Sequence, residues 1–174
     1  MAFYLCGFVG CDSRSQAASI GRSLDSFEFL HPISDNAIFE RDSLWWIHFV
    51  PKGLGLGVPG DTDEMRNAFR PISGDLIDKI YRMFSSRSDY KIFLIGWEVG
   101  DAMFDPEENQ HIEIDGIRFP KVLYAIDGLV LSHELYSSHQ QKSKFETFGD
   151  GYHWIPHGKS QWLSPYGTTP ATAG

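Results

Sequence analysis

The chain has 174 residues, 42% of them hydrophobic and 22% charged, a balance that supports one packed domain and excludes a disordered chain. Its formal net charge of −8 argues against binding along a phosphate backbone, which needs clustered Lys and Arg. No apolar run approaches the roughly 18 residues of a membrane-spanning helix, so a soluble, cytoplasmic protein is expected.

Phe3 to Val9 is a short apolar and aromatic run of strand type that ends at Gly10. Cys6 and Cys11 both fall in this first segment. A disulfide between them is geometrically awkward, and two idle thiols in a reducing compartment are expected. Phe8-Val9-Gly10-Cys11 has the form of a lipoprotein cleavage box, but it lacks the basic start and longer apolar core that such a signal needs. Asp12 or Ser13 then offers an N-cap for a helix through about Leu24, with Ala17, Ile20, Gly21 and Leu24 at helical spacing.

His31-Pro32 and Ser34-Asp35-Asn36 mark a loop. Ala37 to Glu40 and Leu44 to Val50 read as two strands turning over Arg41-Asp42. The second places Trp45, Ile47 and Phe49 on one face and Leu44, Trp46, His48 and Val50 on the other, as a strand covered on both sides does.

The glycine-rich stretch from Gly53 to Gly60 contains a literal G-x-G-x-x-G at Gly55, Gly57 and Gly60. In a dinucleotide site the helix starts within the glycines, so that its amides reach the pyrophosphate. Here Pro59 and a cap at Asp61 push the helix start past them, and Asp61, Asp63 and Glu64 put carboxylates where a phosphate would sit. There is no Gly-Lys-Ser/Thr either, so no nucleotide cofactor is expected. Asp61 and Glu64 form a capping box for a short helix that Pro71 ends, and Ser73 caps a second helix with the apolar stripe Leu76, Ile77, Ile80, Tyr81 and Phe84.

Lys91 to Val99 is the most hydrophobic strand of the chain, and an acidic run follows it. Glu98, Asp101, Asp105, Glu107, Glu108, Glu113 and Asp115 are met before the next basic residue, Arg118. Trp97, Met103 and Phe104 sit beside or within the run. Acid around apolar anchors is the composition of a surface for a basic protein.

His111 to Ile114 alternates strictly, Asp115-Gly116 turns it, and Ile117 to Phe119 returns; Val122 to Ile126 meets a second Asp-Gly at Asp127-Gly128, and Leu129 to Leu135 returns again. Asp-Gly tolerates positive φ and is a strong hairpin signal, so residues 109–136 are expected to form an antiparallel meander. Residues 137–147 read as a loop or short helix and Tyr152 to Pro156 as a late strand. The expected architecture is α+β: one domain over residues 1–163, a mostly antiparallel twisted sheet with helices on one side, and a flexible tail over 164–174.

Other catalytic patterns are weak. His153 and His157 are four apart, but Pro156 opposes the helix that would bring them together. His133 and His139 have no partner set of four ligands, so no metal is expected. Ser132-His133-Glu134 on a strand would alternate faces, and no Gly-x-Ser-x-Gly elbow is present. Two functional expectations remain. The first is a small acidic binding protein, of the toxin-immunity or phage-inhibitor type, that covers the active or nucleic-acid-binding surface of a basic protein through Trp97, Glu98, Asp101, Met103, Phe104, Asp105, Glu107 and Glu108. The alternative is a metal-dependent hydrolase or nuclease using Glu98, Asp101 and Asp105.

Overall fold

Strand β1, Leu5–Cys11, is buried at every one of its seven positions. A strand points successive side chains to opposite faces, so full burial requires a covering layer on each side of the sheet. A computed structural model describes residues 5–41, 43–52, 75–97, 111–114, 117–120, 127–139 and 142–156. Around β1 they form β2 (Ile38–Arg41), β3 (Leu44–Phe49), β4 (Ile92–Trp97), β5 (His111–Ile114), β6 (Ile117–Pro120), β7 (Val130–Ser132), β8 (Glu146–Gly149) and β9 (Tyr152–Trp154). The sheet order is β2-β3-β1-β4-β7-β9-β8, and every described pairing in it is antiparallel. Strands β5 and β6 pair separately as a hairpin. With its helices this is an α+β fold.

Helix α1 (Arg14–Leu24) starts at Ser13, whose Oγ accepts from the Gln16 amide at 3.3 Å. It buries the expected stripe of Ala17, Ile20, Gly21 and Leu24. Helix α2, residues 75–85, buries Leu76, Ile77, Ile80, Tyr81 and Phe84. Both pack on the face formed by Leu5 and Val9 of β1, Ile47 and Phe49 of β3, Phe93 and Ile95 of β4, and Val130 of β7. The opposite face carries Cys6, Phe8, Leu44, Trp46, Ile92, Leu94 and Leu131. Leu135 of α3 (His133–Ser138) packs there, so the described helices occupy both sides of the sheet.

Of the meander expected over 109–136, Val122 to Ile126 lies outside the described residues, and the described ones follow it only in part. Its first hairpin forms with Ile114 opposite Ile117, the two-residue register that Asp115-Gly116 implies. Gly128 has φ 88°, the positive value that makes glycine the residue for this turn. The return from Leu129, however, stays extended only over Val130–Ser132 and lies between β4 and β9. The chain then turns into α3, and the His133 amide donates to the Gly151 carbonyl at 2.7 Å. Glu134 suits the first turn of a helix, while Leu131 and Leu135 reach the same core from a strand and a helix alike. The late strand is found as β9, and β8 pairs with it across a turn that the polar sequence of 146–149 did not signal. Arg41, expected in the β2–β3 turn, instead ends β2 opposite Leu44, and Ser43 has φ 66°. The segments 53–74, 98–110, 121–126 and 157–174, which include the glycine-rich stretch and the expected tail, lie outside the described residues.

Gly7 sets the close packing of β1 on β3. A Cβ at this position would run into the Phe49 ring, which is only 2% exposed. Gly7→Ala is therefore expected to cost about 1–3 kcal/mol through overpacking. Urea denaturation against the wild type checks this, and a change below about 0.5 kcal/mol would mean that Phe49 swings aside freely.

Candidate functional site

The middle strand of the sheet, β4, joins two regions of different chemistry. Its last residue, Trp97, pairs in register with Leu5 and leads into the acidic run. Glu98, Asp101, Met103, Phe104, Asp105, Glu107 and Glu108 lie outside the described residues. So do the three carboxylates of the metal-hydrolase alternative, which belong to the same set. Glu113 is opposite Arg118 in the β5–β6 register.

At the other end of β4, about 20 Å away for a six-residue strand, the described residues gather a cluster of titratable groups. Lys91 precedes β4 and donates its backbone N–H to the Gly10 carbonyl at 2.8 Å. Its ammonium contacts the Glu134 carboxylate from α3 and lies 3.6 Å from Asp12 Oδ2. The Glu134 hydrogen bond, opposed by desolvation and helped by the charge of Asp12, raises the Lys91 pKa and holds it charged. Beside it, His133 Nδ1 is 3.1 Å from His153 Nε2, and the Tyr136 ring stacks on His153 at 3.7 Å between centroids. Desolvation, then the charge of His133, lowers the His153 pKa. Antiparallel register builds this group: Ile92 opposite Leu131 brings Lys91 level with Ser132, and Ser132 opposite Tyr152 brings β9 alongside.

Sequence spacing paired His133 with His139 and His153 with His157. The structure instead joins His133 to His153, twenty residues away, through the β7–β9 pairing. Ser132 Oγ is buried without a hydrogen-bond partner, so it forms no dyad with His133. Cys6 and Cys11 are both buried, and burial with the charges of Asp89 and Asp12 pushes the Cys11 thiol up to about 12, far from a nucleophilic thiolate. Among the described residues no three or more His, Cys, Asp or Glu side chains are grouped to hold a metal. None of the described helices is long and apolar enough to cross a membrane. A groove between α2 and the β8–β9 hairpin is lined by Tyr81, Arg82, Ser85, Thr147, Phe148 and Trp154.

Comparison of the chain with protein-family models, with curated proteins and with solved structures returns no match.

His48 stands apart on the second face of the sheet. It stacks on its cross-strand neighbour Phe8 at 4.6 Å, and its Nε2 is buried without a hydrogen-bond partner. Desolvation lowers its pKa from the ordinary 6.5. For both His48 and His153 the unfolded chain takes up a proton more readily than the folded one. Stability is therefore fully present above about pH 6.5 and lost as pH falls below it. Urea denaturation at pH 7.5 and 5.5 is expected to show the lower midpoint at pH 5.5. His48→Phe, which keeps a ring against Phe8 but cannot titrate, is expected to show a smaller difference between the two pH values.

Proposed function

We propose that this chain is a small acidic binding protein that inhibits a basic partner protein by occluding its active or nucleic-acid-binding surface, as toxin-immunity proteins and phage-encoded inhibitors do. The observation that carries the reading is the one-signed run from Glu98 to Glu108, interleaved with Met103 and Phe104 and attached to the end of the middle strand of the sheet. Glu98, Asp101, Asp105, Glu107 and Glu108 meet Lys or Arg of the partner, and Trp97, Met103 and Phe104 supply the desolvated contact. A charge of −8 over the chain adds long-range attraction for a positive surface and speeds encounter. The cytoplasm is the proposed compartment, and the two buried thiols suit its reducing conditions.

The test is affinity capture with the full chain at low salt, elution by rising salt, and mass spectrometry of what leaves. A stoichiometric basic protein is the expected result, and its own activity should be blocked by the purified chain. Reversal of Asp101, Asp105 and Glu107 to Lys is expected to lower the association rate at low salt by about tenfold or more and to flatten its salt dependence. Unchanged association in that triple variant would remove the acidic run from the interface.

A further inference from the structure

The two imidazoles of the cluster hold α3 to the outer strands of the sheet through a contact that limits their charge. His133 is the first residue of α3, and His153 lies in β9 opposite Leu131 of β7 and Thr147 of β8. A nitrogen–nitrogen hydrogen bond across 3.1 Å needs one N–H and one lone pair. One of the two facing nitrogens must stay bare, so the pair accepts at most one positive charge. A second proton sets two N–H groups against each other and two cations with ring centroids 5.3 Å apart. We propose that His133 and His153 form an acid-sensitive latch, which holds α3 on the β7–β9 pair at neutral pH and lets it loosen when both rings are protonated.

The neighbouring groups determine what acid breaks. On α3, Glu134 is engaged by Lys91, and Tyr136 stacks on His153. Lys142 Nζ lies 5.7 Å from the centre of the same Tyr136 ring, which adds positive charge beside the pair. From the β1–α1 connection, Asp12 faces Lys91. The register neighbours of His153 on β7 and β8 are the neutral Leu131 and Thr147, and Glu146 is opposite Trp154, one position along. The Asp12–Lys91–Glu134 contacts contain no imidazole, so a second proton on the His133–His153 pair does not break them. The expected change is therefore local: α3 loosens but keeps one tether. The lowered His153 pKa has the sign that such a contact requires. A metal site is the weaker use of this pair, because a structural or catalytic zinc takes at least three protein ligands.

Two measurements on the full chain test the latch. In an NMR titration of the imidazole nitrogens from pH 8 to 4.5, His153 should titrate below the ordinary imidazole range, and His133→Gln should move that titration. An ordinary His153 titration that His133→Gln leaves unchanged would overturn the proposal. Hydrogen exchange, corrected for intrinsic rates, should show the amides of 133–138 losing about tenfold or more protection between pH 7.5 and 5.5. That ratio should shrink to about twofold or threefold in His133→Gln and His153→Gln, which keep a polar group but cannot be charged. An equal loss in wild type and variants would also overturn it. So would stabilisation by Zn²⁺ that EDTA reverses and either variant abolishes, which would replace the latch with a metal site.

Discussion

The structure depends on covering both faces of β1 and β4 at once. β1 is buried at all its positions, and its neighbours β3 and β4 press large rings toward it from each side. The first face is filled by stacked and edge-on aromatics, with Phe84 on Phe93 at 4.0 Å and Tyr90 on Tyr152 at 4.3 Å. Tyrosines in such a layer must find partners for their hydroxyls. Tyr81 donates to the Gly128 carbonyl at 2.7 Å, Tyr152 to the Tyr90 carbonyl at 2.6 Å and Tyr90 to the Phe84 carbonyl at 3.2 Å. Each of these bonds ties a connection to the aromatic layer, so burial and loop geometry reinforce one another. The Arg87 guanidinium does the same at the rim, with a bidentate pair to Asp89 and a 2.9 Å bond to Ser23 Oγ of α1.

A strand held this firmly makes a good mount for chemistry at its ends, and the two ends of β4 differ. At the Lys91 end the cation is shared by two carboxylates and the histidines face each other, so polar groups are consumed in holding α3 and β9 to the sheet. Partly exposed ion pairs of this kind are worth little in stability, at most about 1 kcal/mol each. They act on position more than on energy. At the Trp97 end the chain leaves the same strand into the acidic run.

What could be read from the sequence follows the physics of each segment. The stripes of α1 and α2 were legible because Ala17, Ile20 and Leu24, and Ile77, Ile80 and Phe84, recur at a period that only a helix turns to one side. The double-faced character of β3 was legible from its alternation of two apolar sets. The fate of Leu129 to Leu135 was not, because alternate apolar residues are compatible with a strand that becomes a helix once Leu131 and Leu135 reach the same layer. β8 was missed because an edge strand with exposed Glu146 and Thr147 lacks an apolar face. The His133–His153 contact was invisible for another reason: it is made by the β7–β9 register, and no local spacing encodes which strands become neighbours.

Charge location sharpens the functional reading. The cation preceding the acidic run, Lys91, is a strand-length away and already engaged by Asp12 and Glu134. The cation following it, Arg118, is opposite Glu113 in the hairpin's backbone register. Lys91 is thus engaged at its own end of β4. What remains is the stretch from Glu98 to Glu108, in which every ionisable residue is acidic. Like charges close together in sequence repel one another in the isolated protein. A cationic partner surface would offset that effect. In the proposed complex that repulsion would add to the driving force for binding, and salt would weaken both together.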